Sequence, residues 1–105
     1  MGMWAYVFLA GIFEIFMAMA LKASQGFSKL YPSLLTLFTA VISFYLLSRS
    51  LKELPIGTAY AVWTGIGVAG TAVFGVLFLQ ESLNLWQAIF LAAIAVGIVG
   101  LKLAS

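Results

Sequence analysis

At 105 residues, 65% hydrophobic and 8% charged, the chain carries more apolar side chains than a core of its own size can hide, which excludes an ordinary soluble domain. Cysteine and histidine are both absent, which excludes disulfides and thiolate or imidazole metal sites. The net charge of +2 rests on Lys22, Lys29, Arg49, Lys52 and Lys102, none in a run, and this argues against a nucleic-acid partner.

Four apolar segments follow in chain order, each near the ~20 residues that a helix needs to cross a bilayer. The first, roughly 3–21, contains Ala18-Met19-Ala20, which fits a leader cleavage pattern. No Lys or Arg precedes it and Glu14 lies inside it, so a retained helix is expected. It ends in KASQGFSKLYPS, where Gly26 and Pro32 mark a loop. The second segment, roughly 33–51, is followed by SRSLKELPIG, with Pro55 suited to the first turn of the next helix. The third, roughly 56–79, is closed by QESLN, and the fourth runs roughly from 85 to 103. The expected fold is all-α and integral to the lipid bilayer, a single four-helix transmembrane domain over residues 1–105 with antiparallel neighbouring helices.

With four spans, Arg49, Lys52 and Lys102 fall on one side of the membrane and Lys22 and Lys29 on the other. Orientation follows the basic bias between loops. A difference of one residue leaves insertion balanced between both directions. Two oppositely inserted copies form the inverted arrangement that many transporters build from internal repeats. Four short helices are too few to enclose a substrate, whereas eight suffice, so an antiparallel, dual-topology homodimer is expected.

Glu14 is the sole charged side chain between Met1 and Leu21. A charge at a helix centre costs ~2.5–3.5 kcal/mol on insertion scales and marks a polar cavity as a rule. No ion-pair partner lies at its depth: Lys22 is two turns on, about 12 Å along a helix. A carboxyl group so placed is held either as the neutral acid or as a carboxylate with a cation beside it. Those two states are the chemistry of proton–cation exchange. In a dimer the two copies titrate as a coupled pair.

In GTAYAVWTGIGVAG, Tyr60 and Trp63 are three apart and share a helix face. Their position fits two readings: an interfacial aromatic belt, or a pair of π-faces that holds a cation. Trp4 and Trp86, at segment ends, fit the belt better. Gly65, Gly67 and Gly70 match G-x-G-x-x-G, but a dinucleotide site needs a preceding strand and a βαβ unit. Within an apolar helix these glycines permit either a bend or close packing. Ser43, mid-way along the second segment, is a candidate hydrogen-bond donor to Glu14, although a helix serine often bonds its own backbone. Ala93 and Gly97 form a small-xxx-small pair suited to packing between helices of a dimer. Nothing resembles an enzymatic nucleophile with its base, and no cofactor or metal is expected.

The stretches FEI around Glu14, LKASQGFSKLYPS, SFYLLS and LPIGTAYAVWTGIG together resemble the small multidrug resistance family, over nearly the whole chain. That resemblance implies four-helix antiparallel homodimers of the bacterial inner membrane that exchange organic cations for protons. By it, Glu14 corresponds to the essential carboxylate shared by substrate and proton. Tyr60 and Trp63 correspond to binding-site aromatics, and Ser43 to a hydrogen-bonding position near the carboxylate. GTAYAVWTGIG and the terminal GLK look like the guanidinium-exporting subtype. That subtype usually has Trp where Met17 stands. Methionine is flexible and donates no hydrogen bond, which loosens guanidinium selectivity. The function implied is a proton-coupled antiporter that exports guanidinium-type cations and tolerates quaternary ammonium or drug cations. A strictly guanidinium-selective exporter, an uncoupled small cation channel and a non-transporting membrane subunit are the rival readings.

Overall fold

The computed structural model describes residues 2–104, and among them all regular structure is helical. Helix α1 spans Gly2–Ala23, α2 Leu30–Ser50, α3 Ile56–Phe78 and α4 Leu85–Ala104. Each is long and apolar enough to cross a membrane. Apolar runs of this length have one way to satisfy their peptide groups where water is absent, which is helix throughout.

The breaks have local causes. Ser24 closes α1: its hydroxyl donates to the Leu21 carbonyl at 2.6 Å and accepts the Phe27 amide at 3.1 Å. Gln25, Gly26 and Phe27 then take left-handed conformations, with φ of 49°, 73° and 64°. Glycine does so without steric cost, and the two flanking residues carry the strain of the reversal. Helix α2 begins at Leu30, three residues earlier than the sequence suggests. Pro32 does not delay it, because a proline in the first turn gives up an amide that has no helical partner there. Pro55 is the N-cap residue of α3, in extended conformation immediately before Ile56. Asn84 and Gln87 cap α4 reciprocally: Asn84 Oδ1 accepts the Gln87 amide at 2.8 Å, and Gln87 Oε1 accepts the Asn84 amide at 3.0 Å.

Helix α1 is the centre of the bundle. It packs on α2 and α3, while α4 packs chiefly on α3. The core is small: Val7, Ala10, Leu47, Ala59, Val62 and Trp63. Glycines set the spacing between helices. Gly11 faces the Ile66 side chain, Gly70 faces Ile15, and Gly65 faces Ile98 of α4. A Cβ at any of these three would overlap its neighbour. None of the residues of α4 is buried within the chain.

The two ends of the bundle treat their cations differently. At one end Arg49 lies over the Tyr6 ring, 5.5 Å from its centroid, and donates to the Tyr45 hydroxyl at 3.0 Å. At the same end Lys102 sits 5.3 Å from the Trp4 ring centroid. Such pairs hold a charge at the membrane boundary against an aromatic face. At the other end Lys22 forms an ion pair with Glu81 at 3.0 Å.

Gly70→Val should destabilise the chain by ~1–3 kcal/mol, the usual cost of overpacking, because its Cβ would meet the branched Ile15. Gly57→Ala, where a Cβ would meet nothing within 4 Å, should leave stability unchanged or slightly improved. Thermal unfolding midpoints in detergent micelles distinguish the two.

Candidate functional site

Glu14 occupies the middle of α1, on the face that packs against α3. Its carboxylate lies directly against Gly67, so closely that a Cβ at Gly67 would occupy its place. Oε1 of Glu14 is buried and has no hydrogen-bond partner among the described residues. Leaving such an atom unsatisfied is costly.

The carboxylate lines a recess of about 430 Å³. Met17 and Ala18 of α1, Val68, Thr71 and Ala72 of α3 and Glu81 of the α3–α4 loop line the rest. Small residues on both helices keep it open. Ala18 follows Glu14 by one turn, and Thr71 follows Gly67 by one turn, so each pair shares a helix face. Met17 adds a soft apolar wall beside the carboxylate.

Ser43 does not reach Glu14. Its hydroxyl donates to the Ala10 carbonyl at 2.7 Å and accepts the Trp63 indole N–H at 2.9 Å. This corrects the sequence expectation of a bond to the carboxylate. It is also no bond to the serine's own backbone. The reason is depth: the hydroxyl meets α1 one turn before Glu14, at the carbonyl whose regular helix partner is the Glu14 amide. One buried serine thereby ties α2 to both α1 and α3.

Tyr60 and Trp63 share a face, with ring centroids 5.1 Å apart in an edge-on arrangement. Their environments differ. Trp63 is 5% exposed, packed against Phe44 at 5.4 Å and fixed by Ser43, whereas Tyr60 is 52% exposed. Trp63 is thus a fixed support, and Tyr60 presents a free ring edge and hydroxyl. Neither belongs to the wall of the Glu14 recess within one chain. The structure therefore divides the predicted residues into two groups. Glu14, Met17 and Gly67 meet around the recess; Ser43 and Trp63 meet one turn away, with Tyr60 beside Trp63.

The three glycines of α3 point to different neighbours: Gly65 to α4, Gly67 to the Glu14 carboxylate, Gly70 to Ile15. Helix α3 runs through them as one α-helix, and close approach is what they supply. Ala93 and Gly97 lie on the exposed face of α4, where a Cβ at Gly97 would meet nothing in its own chain. No group of three or more His, Cys, Asp or Glu able to hold a metal occurs among the described residues. Val68, Thr71, Ala72 and Glu81 were not singled out from sequence. For Glu81 a signal existed: loops one and three lie on one side, so the acid of QESLN shares a membrane face with Lys22.

Comparison with known proteins agrees with this architecture. The profile of the Small Multidrug Resistance protein family matches residues 2–94. A guanidinium exporter of Proteus vulgaris is 49% identical over 97% of this chain and 98% of its own. One from Yersinia pseudotuberculosis is 50% identical over the same shares. The guanidinium exporter of Escherichia coli K12 is 46% identical over 97% of each chain. Four spans, an isolated carboxylate seated on a glycine, and full-length similarity of this degree lead to one assignment: the chain is a multi-pass membrane protein that belongs to the small multidrug resistance family.

Proposed function

We propose that this chain is a proton-coupled antiporter that exports guanidinium-type organic cations across the bacterial inner membrane, working as an antiparallel homodimer of one four-helix transmembrane domain per chain. The observation that carries this reading is the buried, unpartnered Oε1 of Glu14 at mid-span, facing a recess. A proton satisfies that atom by making it neutral; a guanidinium satisfies it with charge and two parallel N–H donors. Because both occupy the same oxygens, one leaves when the other arrives, and the cycle couples their movement. The relatives named as guanidinium exporters support the choice of cation.

Ser43 and Trp63 hold α1 in register, so Glu14 is presented at a constant depth. Tyr60, exposed in the single chain, supplies an aromatic face to a cation near Glu14 once a second copy closes the site. Support for the dimer comes from α4, which buries none of its residues against its own chain and carries Ala93 and Gly97 on its open face. Support for opposite insertion comes from the near-equal division of basic residues. Met17 widens substrate tolerance toward larger hydrophobic cations, because it lines the recess with a flexible apolar chain and adds no donor to Glu14.

Proteoliposomes provide the decisive measurement. Glu14→Gln should abolish proton-driven guanidinium uptake while leaving the helical fold intact; retained coupled uptake would sink the proposal. For wild type, guanidinium affinity should fall as pH is lowered, since protons then occupy the shared carboxylate. A channel would show neither saturation nor a fixed proton-to-cation ratio.

Orientation is tested separately. A C-terminal tag should be reachable from both faces of the membrane. Adding two or three lysines to the loops on one side should leave one orientation and remove transport until an oppositely biased copy is co-expressed. A uniform orientation of the wild-type chain would contradict the antiparallel dimer.

Met17→Trp should tighten guanidinium binding about tenfold, as expected for one charge-assisted hydrogen bond worth ~1.5 kcal/mol, and reduce uptake of tetraphenylphosphonium. Wild type that already excludes bulky cations would refute the role given to Met17.

A further inference from the structure

The recess has an organised mouth as well as a floor. Glu14, Ala18 and Lys22 are spaced four apart along one face of α1, and Gly67, Thr71 and Gly75 are spaced four apart along one face of α3. The two rows run side by side. At the floor the Glu14 carboxylate rests against Gly67, and at the far end the Glu81 carboxylate rests against Gly75. Two turns of helix separate the levels, about 12 Å at the helical rise.

Glu81 is held there by the chain around it. Gln80 takes a left-handed conformation with φ 58°, and the Glu81 amide donates to the Gly75 carbonyl at 3.1 Å. That folds the side chain back over Gly75, where a Cβ would occupy the position of its Oε1. Its other oxygen, Oε2, accepts from Lys22 Nζ at 3.0 Å. Lys22 and Glu81 side chains are 62% and 47% exposed, so water reaches the pair and it is weak. Glu81 is thus a fixed carboxylate on the wall of the Glu14 recess, with a loosely held ammonium as its partner.

We propose that Glu81 is an outer station for the transported cation. It receives the guanidinium group at the mouth of the recess before the group reaches Glu14, and Lys22 is the resident cation that the substrate displaces. The chemistry favours this exchange. A planar guanidinium offers a carboxylate two parallel N–H donors, whereas the lysine ammonium meets it as a point charge. A quaternary ammonium has no N–H to offer and gains little at the station. Glu81 therefore acts as a specificity-determining residue for guanidinium-type over donor-less cations. The proposal rests on the guanidinium-transport reading given above.

Guanidinium and tetraethylammonium uptake into proteoliposomes, measured for wild type, Lys22→Gln and Glu81→Gln, tests it. Glu81→Gln should raise the guanidinium KM at least threefold, by a larger factor than kcat falls, with a smaller shift for tetraethylammonium. Lys22→Gln should lower the guanidinium KM, because the carboxylate is then unoccupied. A pair that merely braces the α3–α4 loop predicts changes of the same sign in both variants, and that result, or an unchanged KM in both, overturns the proposal. If Glu81→Gln is not recovered folded, Glu81→Asp takes its place; it keeps the charge but withdraws it from the mouth, so an intermediate rise in KM is expected and an unchanged KM is contrary. Wild type that does not move guanidinium at all refutes the transport reading instead.

Discussion

Glu14 sits against α3, and the closeness is possible because Gly67 has no side chain. The rest of the arrangement depends on that contact. An apolar span cannot leave a carboxylate facing lipid without a large penalty, so the helix that carries Glu14 must place it against protein. Glycine supplies the space, and Ile15 against Gly70 and Gly11 against Ile66 repeat the same fit at neighbouring levels. The row of small residues that lets the helices approach also leaves the recess beside the carboxylate. Packing and site are two results of one spacing.

Ser43 serves that contact from behind. It accepts from Trp63 and donates to Ala10, so a single hydroxyl uses both of its capacities between three helices. In a setting without water, a buried indole N–H needs an acceptor, and Ser43 provides it. The serine thereby fixes the rotation of α3 that presents Gly67 to Glu14, and with it the direction in which Tyr60 projects.

Much of this was legible in the sequence because it follows from composition and isolation. Four spans can be counted from apolar length, and Glu14 stands out as the lone charge in the first of them. The start of α2 at Leu30 is hidden in the sequence because a proline reads as a break, although its ring fits a first helical turn. The partners of Ser43 are not legible in the sequence, because a hydroxyl's partner depends on how helices are rotated about their axes, which residue spacing does not encode. For Gly65, Gly67 and Gly70 spacing left a bend and close packing as alternatives; each glycine has a bulky neighbour, and none shares it with another. In the sequence Glu81 reads as part of a helix stop. Its place on the recess wall comes from the left-handed Gln80, a backbone feature that glutamine does not advertise.

Helix α4 stands apart in one further respect. It buries no residue within its own chain, packs chiefly on α3, and has its first turn closed by the reciprocal Asn84–Gln87 cap. Its helical state therefore depends little on its neighbours: the bilayer enforces its hydrogen bonding and the cap completes it. In time, this separates two events during biogenesis. Helix α4 is a finished rod as soon as it enters the lipid, while the mutual fit of α1, α2 and α3 has to be found by their docking.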